Sequence, residues 1–314
     1  MTARGHDRPS VATASSASTP LVSVPGYLIR RSQAVHNVLW GKLVPGDITP
    51  PQYAVLSVLA TFPRSDRQQI ARLASLDKSS AADVVARLAR KAWIRRERDP
   101  EDARRYLLSL TEAASIALSS ITPQISAVQD ALLAVLPESR RTAFMNELTA
   151  VARLMPGELG DLPQDTYPVL GLTVPGHLIR RAQQVHTSYW AEIMDGRLTG
   201  PQYAVLRVIG RQPEINQRRL GEFAALDNST TTDIVNRLAG RGWITRETDP
   251  TDGRGRILTL TREATTWLQS IHPKVEVVQQ RLLEPLRPRQ RTGFLRDLAR
   301  VAFEGDPPEA VSSV

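Results

Sequence analysis

The chain repeats itself. Compared with itself at a shift of 150 residues, the sequence matches without gaps over most of its 314 positions. The stretch Pro25 to His36 returns as Pro175 to His186 with nine identities in twelve, and Thr49 to Leu56 returns as Thr199 to Leu206 with one change. Between Arg87 and Glu112, 14 of 26 residues equal their partners 150 positions on. A repeat of this length is a whole domain rather than a solenoid unit, so the chain reads as a tandem duplication. The expected division is a disordered tail at 1–24, a first domain at 25–154, a linker at 155–174, a second domain at 175–304 and a C-terminal tail at 305–314. The linker is marked by Pro156, Gly157, Gly160, Pro163, Pro168 and Gly171.

Several function classes fall away on composition. No apolar run approaches the roughly 18 residues of a spanning helix, and the Ser- and Ala-rich start has no apolar stretch of signal-peptide length, so the expected location is the cytoplasm. The absence of cysteine removes disulfides, thiolate nucleophiles and cysteine-ligated zinc. Five histidines without HxH or HxxxH spacing give no metal site, and no cofactor is expected. No nucleophile elbow, phosphate-binding glycine loop or HExxH motif occurs, which argues against an enzyme. Forty basic against 32 acidic residues give a net charge of +8, which suits a polyanionic partner or simply a solvated surface.

Within one repeat, apolar spacing predicts helices over 26–42, 51–61, 67–75 and 78–91, the last behind the N-cap Asp77. Trp93 to Arg98 and Arg105 to Leu110 read as a hairpin whose turn contains Asp99, Pro100, Glu101 and Asp102. From Thr111 a stripe of Ile121, Ile125, Val128, Leu132 and Val135 predicts a long helix seeking a partner, with Pro123 as a kink or restart, and a last helix follows to Leu154. Helix, short helix, second helix and hairpin in this order make a winged helix-turn-helix, mainly α with small β wings.

These residues resemble the multiple-antibiotic-resistance regulator (MarR) family of bacterial transcription factors. The resemblance rests on Leu88, Trp93-Ile94, Arg96, Asp99-Pro100, Asp102, Arg104 and Leu110-Thr111, and again on Leu238, Trp243-Ile244, Arg246, Asp249-Pro250, Asp252, Arg254 and Leu260-Thr261. It covers about 25–154 and 175–304, and it implies two DNA-binding domains joined by a helical stalk into a pseudo-twofold dimer. Family members normally carry one domain per chain, so one chain holding both halves is a departure. So are Ala92, where the second repeat has Gly242, and the acidic Asp83 and Asp233 within the second helix of each motif.

Candidate DNA-reading positions are the exposed face of that helix: Lys78, Ser79, Ala82, Asp83 and Arg87, repeated as Asn228, Ser229, Thr232, Asp233, Asn236 and Arg237. Such side chains can reach base edges, or they form only a solvated face with i,i+4 pairs from Asp83 to Arg87 and from Asp233 to Arg237. Basic residues gather in the wing at Arg104, Arg105, Arg254 and Arg256. The resemblance gives Arg104 and Arg254 a backbone or minor-groove role, with Asp102 and Asp252 orienting the guanidinium; the bland reading is a turn in which Asp and Arg pair only with each other. In the first helix Ile29, Gln33, His36 and Trp40 form a stripe, repeated by Ile179, Gln183, His186 and Trp190. The resemblance implies an effector pocket here, with candidates Tyr27, Arg30, Arg31, His36 and Trp40 and their equivalents His177, Arg180, Arg181, His186 and Trp190. An arginine fork suits a carboxylate and an aromatic wall suits a flat ring, although ordinary packing would use the same residues.

The expected function is a DNA-binding transcriptional regulator of repressor type. It would bind a pseudo-palindromic operator as a single-chain pseudodimer, modulated by a small aromatic or phenolic acid or its CoA thioester. The alternative is a ligand-binding or protein-interaction module that keeps the fold and has lost DNA binding.

Overall fold

The computed structural model describes residues 20–44, 46, 48–102, 104–154, 171–248 and 256–308. In the first repeat α1 spans Pro25–Leu43, α2 Pro50–Thr61, α3 Arg67–Leu73 and α4 Lys78–Arg90. The hairpin β1 (Ile94–Arg98) and β2 (Tyr106–Leu110) follows, then α5 (Glu112–Ala134) and α6 (Glu138–Val151). The second repeat runs α7 (Pro175–Met194), α8 (Gly200–Arg211), β3 (Ile215–Asn216), α9 (Gln217–Ala224) and α10 (Asn228–Gly240). It ends with β4 (Ile244–Thr248), β5 (Arg256–Leu260), α11 (Arg262–Leu283) and α12 (Pro288–Phe303). No described helix is long and apolar enough to cross a membrane.

Local chemistry sets the helix starts. Thr49 and Gln52 cap α2 reciprocally, the Thr49 N–H donating to Gln52 at 3.0 Å and Thr49 Oγ1 accepting from Gln52 N, with Pro50 at the first helical position. Thr199 and Gln202 repeat this at α8. Asp66, Asp77, Asn216 and Asp227 cap α3, α4, α9 and α10 through their side chains. α5 runs through Pro123 as one helix rather than restarting there. Before the first wing, Ala92 adopts φ +56° where Gly242 adopts φ +72°, a left-handed conformation that costs a residue with a Cβ roughly 1 kcal/mol.

The wings are antiparallel, Ile94 pairing with Leu110 and Ile244 with Leu260. In the second repeat β3 adds a third strand on β5; in the first, a single bridge joins Ser65 to Leu108. The expected seam is buried at Ile121, Ile125, Val128 and Leu132 and half-buried at Val135.

The two repeats share one core. A continuous apolar cluster includes Leu28, Leu59, Phe144 and Leu148 of the first with Leu178, Leu206, Phe294 and Leu298 of the second. α1 packs on α12 and α7 on α6, the same contact seen from either side of a pseudo-twofold axis, while α1 meets α7 and α6 meets α12. Some segments assigned to tail and linker belong to the folded body: Leu21–Ser23 form a 3-10 turn with Leu21 buried, and Leu172 is buried. The rest of those segments, 1–19 and 155–170, lies outside the described residues.

Candidate functional site

α3 and α4 in the first repeat, and α9 and α10 in the second, form helix-turn-helix units with the second helix outermost. On α4 the core face is Ala81 and Leu88, both buried, while Lys78, Ser79, Asp83 and Arg87 are exposed and Ala82 is half-exposed. On α10, Thr231, Ile234, Val235 and Leu238 face inward, and Asn228, Ser229, Thr232, Asp233, Asn236 and Arg237 are exposed. The outward face is therefore largely open to solvent in both copies but differently furnished. In α10 the Asp233 carboxylate pairs with Arg237 at 3.1 Å, Asn236 Oδ1 accepts from Arg246 of the wing at 2.7 Å, and Gln217 donates to Thr232 Oγ1 at 2.7 Å. Among the described residues α4 has no counterpart of these three bonds. Arg246 thus occupies one acceptor position of Asn236 Oδ1 and leaves the amide NH₂ facing outward from an exposed residue.

The wing corrects one expectation. Asp102 does not orient the Arg104 guanidinium: its Oδ1 accepts the Arg104 backbone N–H at 2.9 Å and so shapes the turn. Arg104 is exposed, whereas Arg105 forms an ion pair with Asp66, the N-cap of α3, which ties wing to helix-turn-helix. In β4–β5, Arg256 donates to Thr248 at 3.0 Å. Arg254 and Asp252 lie outside the described residues.

The first-helix candidates assemble differently from the expected single stripe, because each pocket draws on both repeats. Tyr27 and Arg30 of α1 face His186 and Trp190 of α7 across a narrow cavity with room for about one water, closed by Tyr203, Gln279 and Leu21. Reciprocally, His177 and Arg180 of α7 face His36 and Trp40 of α1 across a similarly narrow cavity, with Tyr53, Gln129 and Gly171. In each, a His, Trp and Tyr make a continuous aromatic wall: centroids lie 5.7 and 5.6 Å apart in His36–Trp40–Tyr53, and 5.8 and 5.3 Å apart in His186–Trp190–Tyr203. The tryptophans are fixed by their indole N–H groups, which donate to the Ile48 and Leu198 carbonyls at 2.7 and 2.6 Å.

Close approach of the two first helices requires glycine. A Cβ on Gly26 would stand 2.2 Å from His186 Nε2, and one on Gly176 would stand 2.3 Å from His36 Nε2. The same glycines donate their N–H groups to Gln279 and Gln129, both at 2.9 Å.

Charge in these cavities is unbalanced. Burial lowers the Arg30 and Arg180 guanidinium pKa values to about 10, so both stay protonated near neutrality, and their Nε atoms are buried without a hydrogen-bond partner. Neither has a carboxylate partner among the described residues. Burial, helped by the facing arginine, lowers His36 and His186 to about 4, and His177 lies well below its ordinary value for the same reasons. Each pocket is thus an aromatic cleft holding one cation without a carboxylate partner among the described residues, together with neutral imidazoles.

Arg31 and Arg181, expected to bind ligand, instead staple one repeat to the other. Arg31 donates to the Ala302 carbonyl at 3.0 Å and the Glu222 carbonyl at 3.1 Å, and its guanidinium lies 4.2 Å from the Phe303 ring centroid. Arg181 donates to the carbonyls of Ala152, Arg153 and Arg72 at 2.9, 3.2 and 3.4 Å. Most of these acceptors are carbonyls at the C-terminal ends of helices, where cations are favoured.

Comparison with known proteins gives the family. MarR family models match residues 46–105 and 198–255, one in each repeat. The transcriptional regulator HosA of Escherichia coli O111:H- is 36% identical over 121 residues, which are 38% of this chain and 88% of the relative. The chain belongs to the MarR family. The transcriptional repressor NicR of Pseudomonas putida is 28% identical over 134 residues, 42% of this chain and 85% of the relative. Among solved structures, the PcaV transcriptional regulator of Streptomyces coelicolor with its natural ligand is 38% identical, covering 41% of this chain and 91% of that one at a TM-score of 0.40. The HosA and NicR matches each span about the length of one repeat, 121 and 134 residues, and take in 88% and 85% of those relatives.

Sequence reasoning missed Tyr53, Tyr203, Gln129, Gln279 and Gly26 as lining residues, and Gly176 as the glycine packed against His36 and Gln129. A signal existed: all are identical pairs at the 150-residue shift. Their convergence with the opposite repeat's first helix is a product of the shared core and leaves no mark in local spacing.

Proposed function

We propose that the chain is a transcriptional regulator that binds one pseudo-palindromic duplex as a single-chain pseudodimer, and that a small aromatic carboxylate in the composite pockets weakens this binding. The observation that carries the ligand reading is the buried, uncompensated arginine set against an aromatic wall from the other repeat. As they stand the two cavities have room for little more than a water molecule, so a ring of benzoate size would have to part the facing side chains to enter, and its carboxylate would then supply the missing partner for Arg30 or Arg180. The free acid suits this site better than a CoA thioester, which has no carboxylate at the carbon that would face the guanidinium.

A route to the DNA-reading helix supports the regulatory part. Arg30 Nη2 donates to the Ala224 carbonyl at 2.8 Å, at the end of α9 and just before α10. A carboxylate competing for that guanidinium would loosen the second helix-turn-helix from the first repeat. It would shift DNA affinity only as far as it prefers one arrangement over the other. Exposed Asp83 and Asp233 on the reading face support the alternative, a ligand-binding protein that has lost DNA binding. Titration with duplexes selected from a random pool separates the two. Binding by a single chain whose log K falls with log salt supports regulation, and no duplex binding at low salt supports the alternative.

A further inference from the structure

The last helices of the two repeats, α6 and α12, meet at the pseudo-twofold axis through equivalent residues. Phe144 and Phe294 stack with centroids 5.7 Å apart and planes at 21°. Beside them Glu147 and Asp297, again equivalents, are 5% and 2% exposed. Two carboxylates buried together need a counter-charge, and a single one serves both. Arg140 Nε and Nη2 approach Asp297 Oδ2 at 2.8 and 2.7 Å, and Nη2 reaches Glu147 Oε2 at 3.3 Å.

Here the repeat symmetry fails. The equivalent of Arg140 is Gln290, whose side-chain carbonyl accepts the Arg287 N–H at 3.1 Å as a helix cap. The equivalent of Gly293 is Ala143, and Gly293 lies against the arginine: a Cβ there would stand 3.3 Å from Arg140 Nη2, closer than such atoms ordinarily pack. The first repeat contributes the cation and the second contributes the space it fills. Burial and the nearby Asp297 raise the Glu147 pKa despite Arg140, as expected where two acids share one guanidinium.

The three possible pairings therefore differ. First repeat with second gives two carboxylates and one arginine seated over a glycine. Second with second gives two aspartates and no arginine. First with first supplies two arginines but sets an Ala143 methyl against each.

We infer that the stalk face of the second repeat is built to take the first repeat as its partner and not another copy of itself, with Arg140 over Gly293 as the discriminating contact. The lock rests on the stalk alone and is independent of any ligand or DNA reading. Two unlike reading helices are useful only when they are held together, and this contact favours the unlike pair over two like ones.

The test uses full-length protein and gives α6 the residues of α12: Arg140→Gln, Ala143→Gly and Glu147→Asp together, so that two second-type faces meet. A companion adds Gln290→Arg to this triple variant, returning one arginine from the opposite side over a glycine, the mirror image of the native lock. The triple variant is expected to lower the thermal midpoint by roughly 6–10 °C, and the companion to regain most of that loss. A triple variant melting within about 2 °C of the parent would overturn the inference. So would a companion no more stable than the triple variant. If the triple variant does not fold, folding of the companion supports the lock, and its failure counts against it.

Discussion

Acid should unfold this protein through its pocket histidines, in a pH window above the one in which the capping carboxylates titrate. His36 and His186 are held neutral by burial and by Arg180 and Arg30, with folded pKa values of about 4 against 6.5 when unfolded. A depressed imidazole pKa means that the unfolded chain binds the proton first. The stability contributed by keeping these rings neutral is complete above pH 6.5 and is lost as pH falls from there towards 4. Lowering the pH from 7 to 5 costs about 2 kcal/mol for each ring, about 4 kcal/mol for the pair, a large part of the 5–15 kcal/mol typical of folded domains. Asp66, Asp77 and Asp227 have lowered pKa values and withdraw their stabilisation only below about pH 4. Glu147, with a raised pKa, works the opposite way and gains stability on acidification.

The assay is urea unfolding followed by circular dichroism at pH 7, 6 and 5, for the parent and for the variant carrying His36→Gln and His186→Gln. The variant starts lower at pH 7, because it loses ring packing, but its stability should fall less steeply by about 4 kcal/mol over the two pH units. His177 is present in both proteins and cancels apart from the smallest of the influences on it, the neighbouring His36. A parent that loses less than about 1 kcal/mol between pH 7 and 5, or a variant with the same slope, would refute the account of the pocket as a place where imidazoles must stay uncharged.

Three further outcomes follow from the reading and ligand sites. Asn236→Ala should relax one base position in one half-site only, at a cost of about 1–3 kcal/mol, because Ala86 occupies the equivalent place in the other repeat; selections returning a perfect palindrome would contradict this. Arg104→Ala should leave the fold intact and reduce the slope of log K against log salt by about one, checked by duplex titration at several salt concentrations. Arg30→Ala and Arg180→Ala should each weaken calorimetric binding of a benzoate-type acid about 10- to 100-fold at one site, the value of a charge-assisted hydrogen bond. Binding indifferent to both substitutions would remove the pocket assignment and leave the DNA-binding claim standing.

What could be read in the sequence divides along a physical line. Elements set by local chemistry were legible: the Thr49–Gln52 and Asp77 caps, the Asp99-Pro100 turn and the Ile121 to Leu132 seam all lie where periodicity and capping put them. The exposed face of α4 was equally legible, because a 3.6-residue period that buries Ala81 and Leu88 must turn Asp83 and Arg87 outward. Contacts between the repeats were not. His36 and Arg30 sit in one helix, but the partners that give them meaning, Arg180 and His186, come from 144 and 156 residues along the chain. Arg31 looked like an anion ligand because its sequence neighbours allow that role, and only the fold brings the Ala302 and Glu222 carbonyls to it.

Duplication changes what such contacts can do. In a homodimer the two pockets and the two reading helices are copies, so a change made at one is made at both. Here each repeat varies alone. Tyr27, whose hydroxyl is buried without a partner, faces one cavity, whereas His177 in the other approaches Arg180 at 2.9 Å and Ser75 at 3.4 Å. The cation of the first pocket holds the carbonyl of Ala224 ahead of α10; the cation of the second holds an imidazole of its own helix. An acid entering the first pocket would thus act on the helix carrying Thr232 and Asn236, and one entering the second would first displace His177. Unequal response of the two half-sites to one ligand is the behaviour this asymmetry supports. Footprinting each half-site across a ligand titration would detect it, and equal release of both halves at every concentration would count against it.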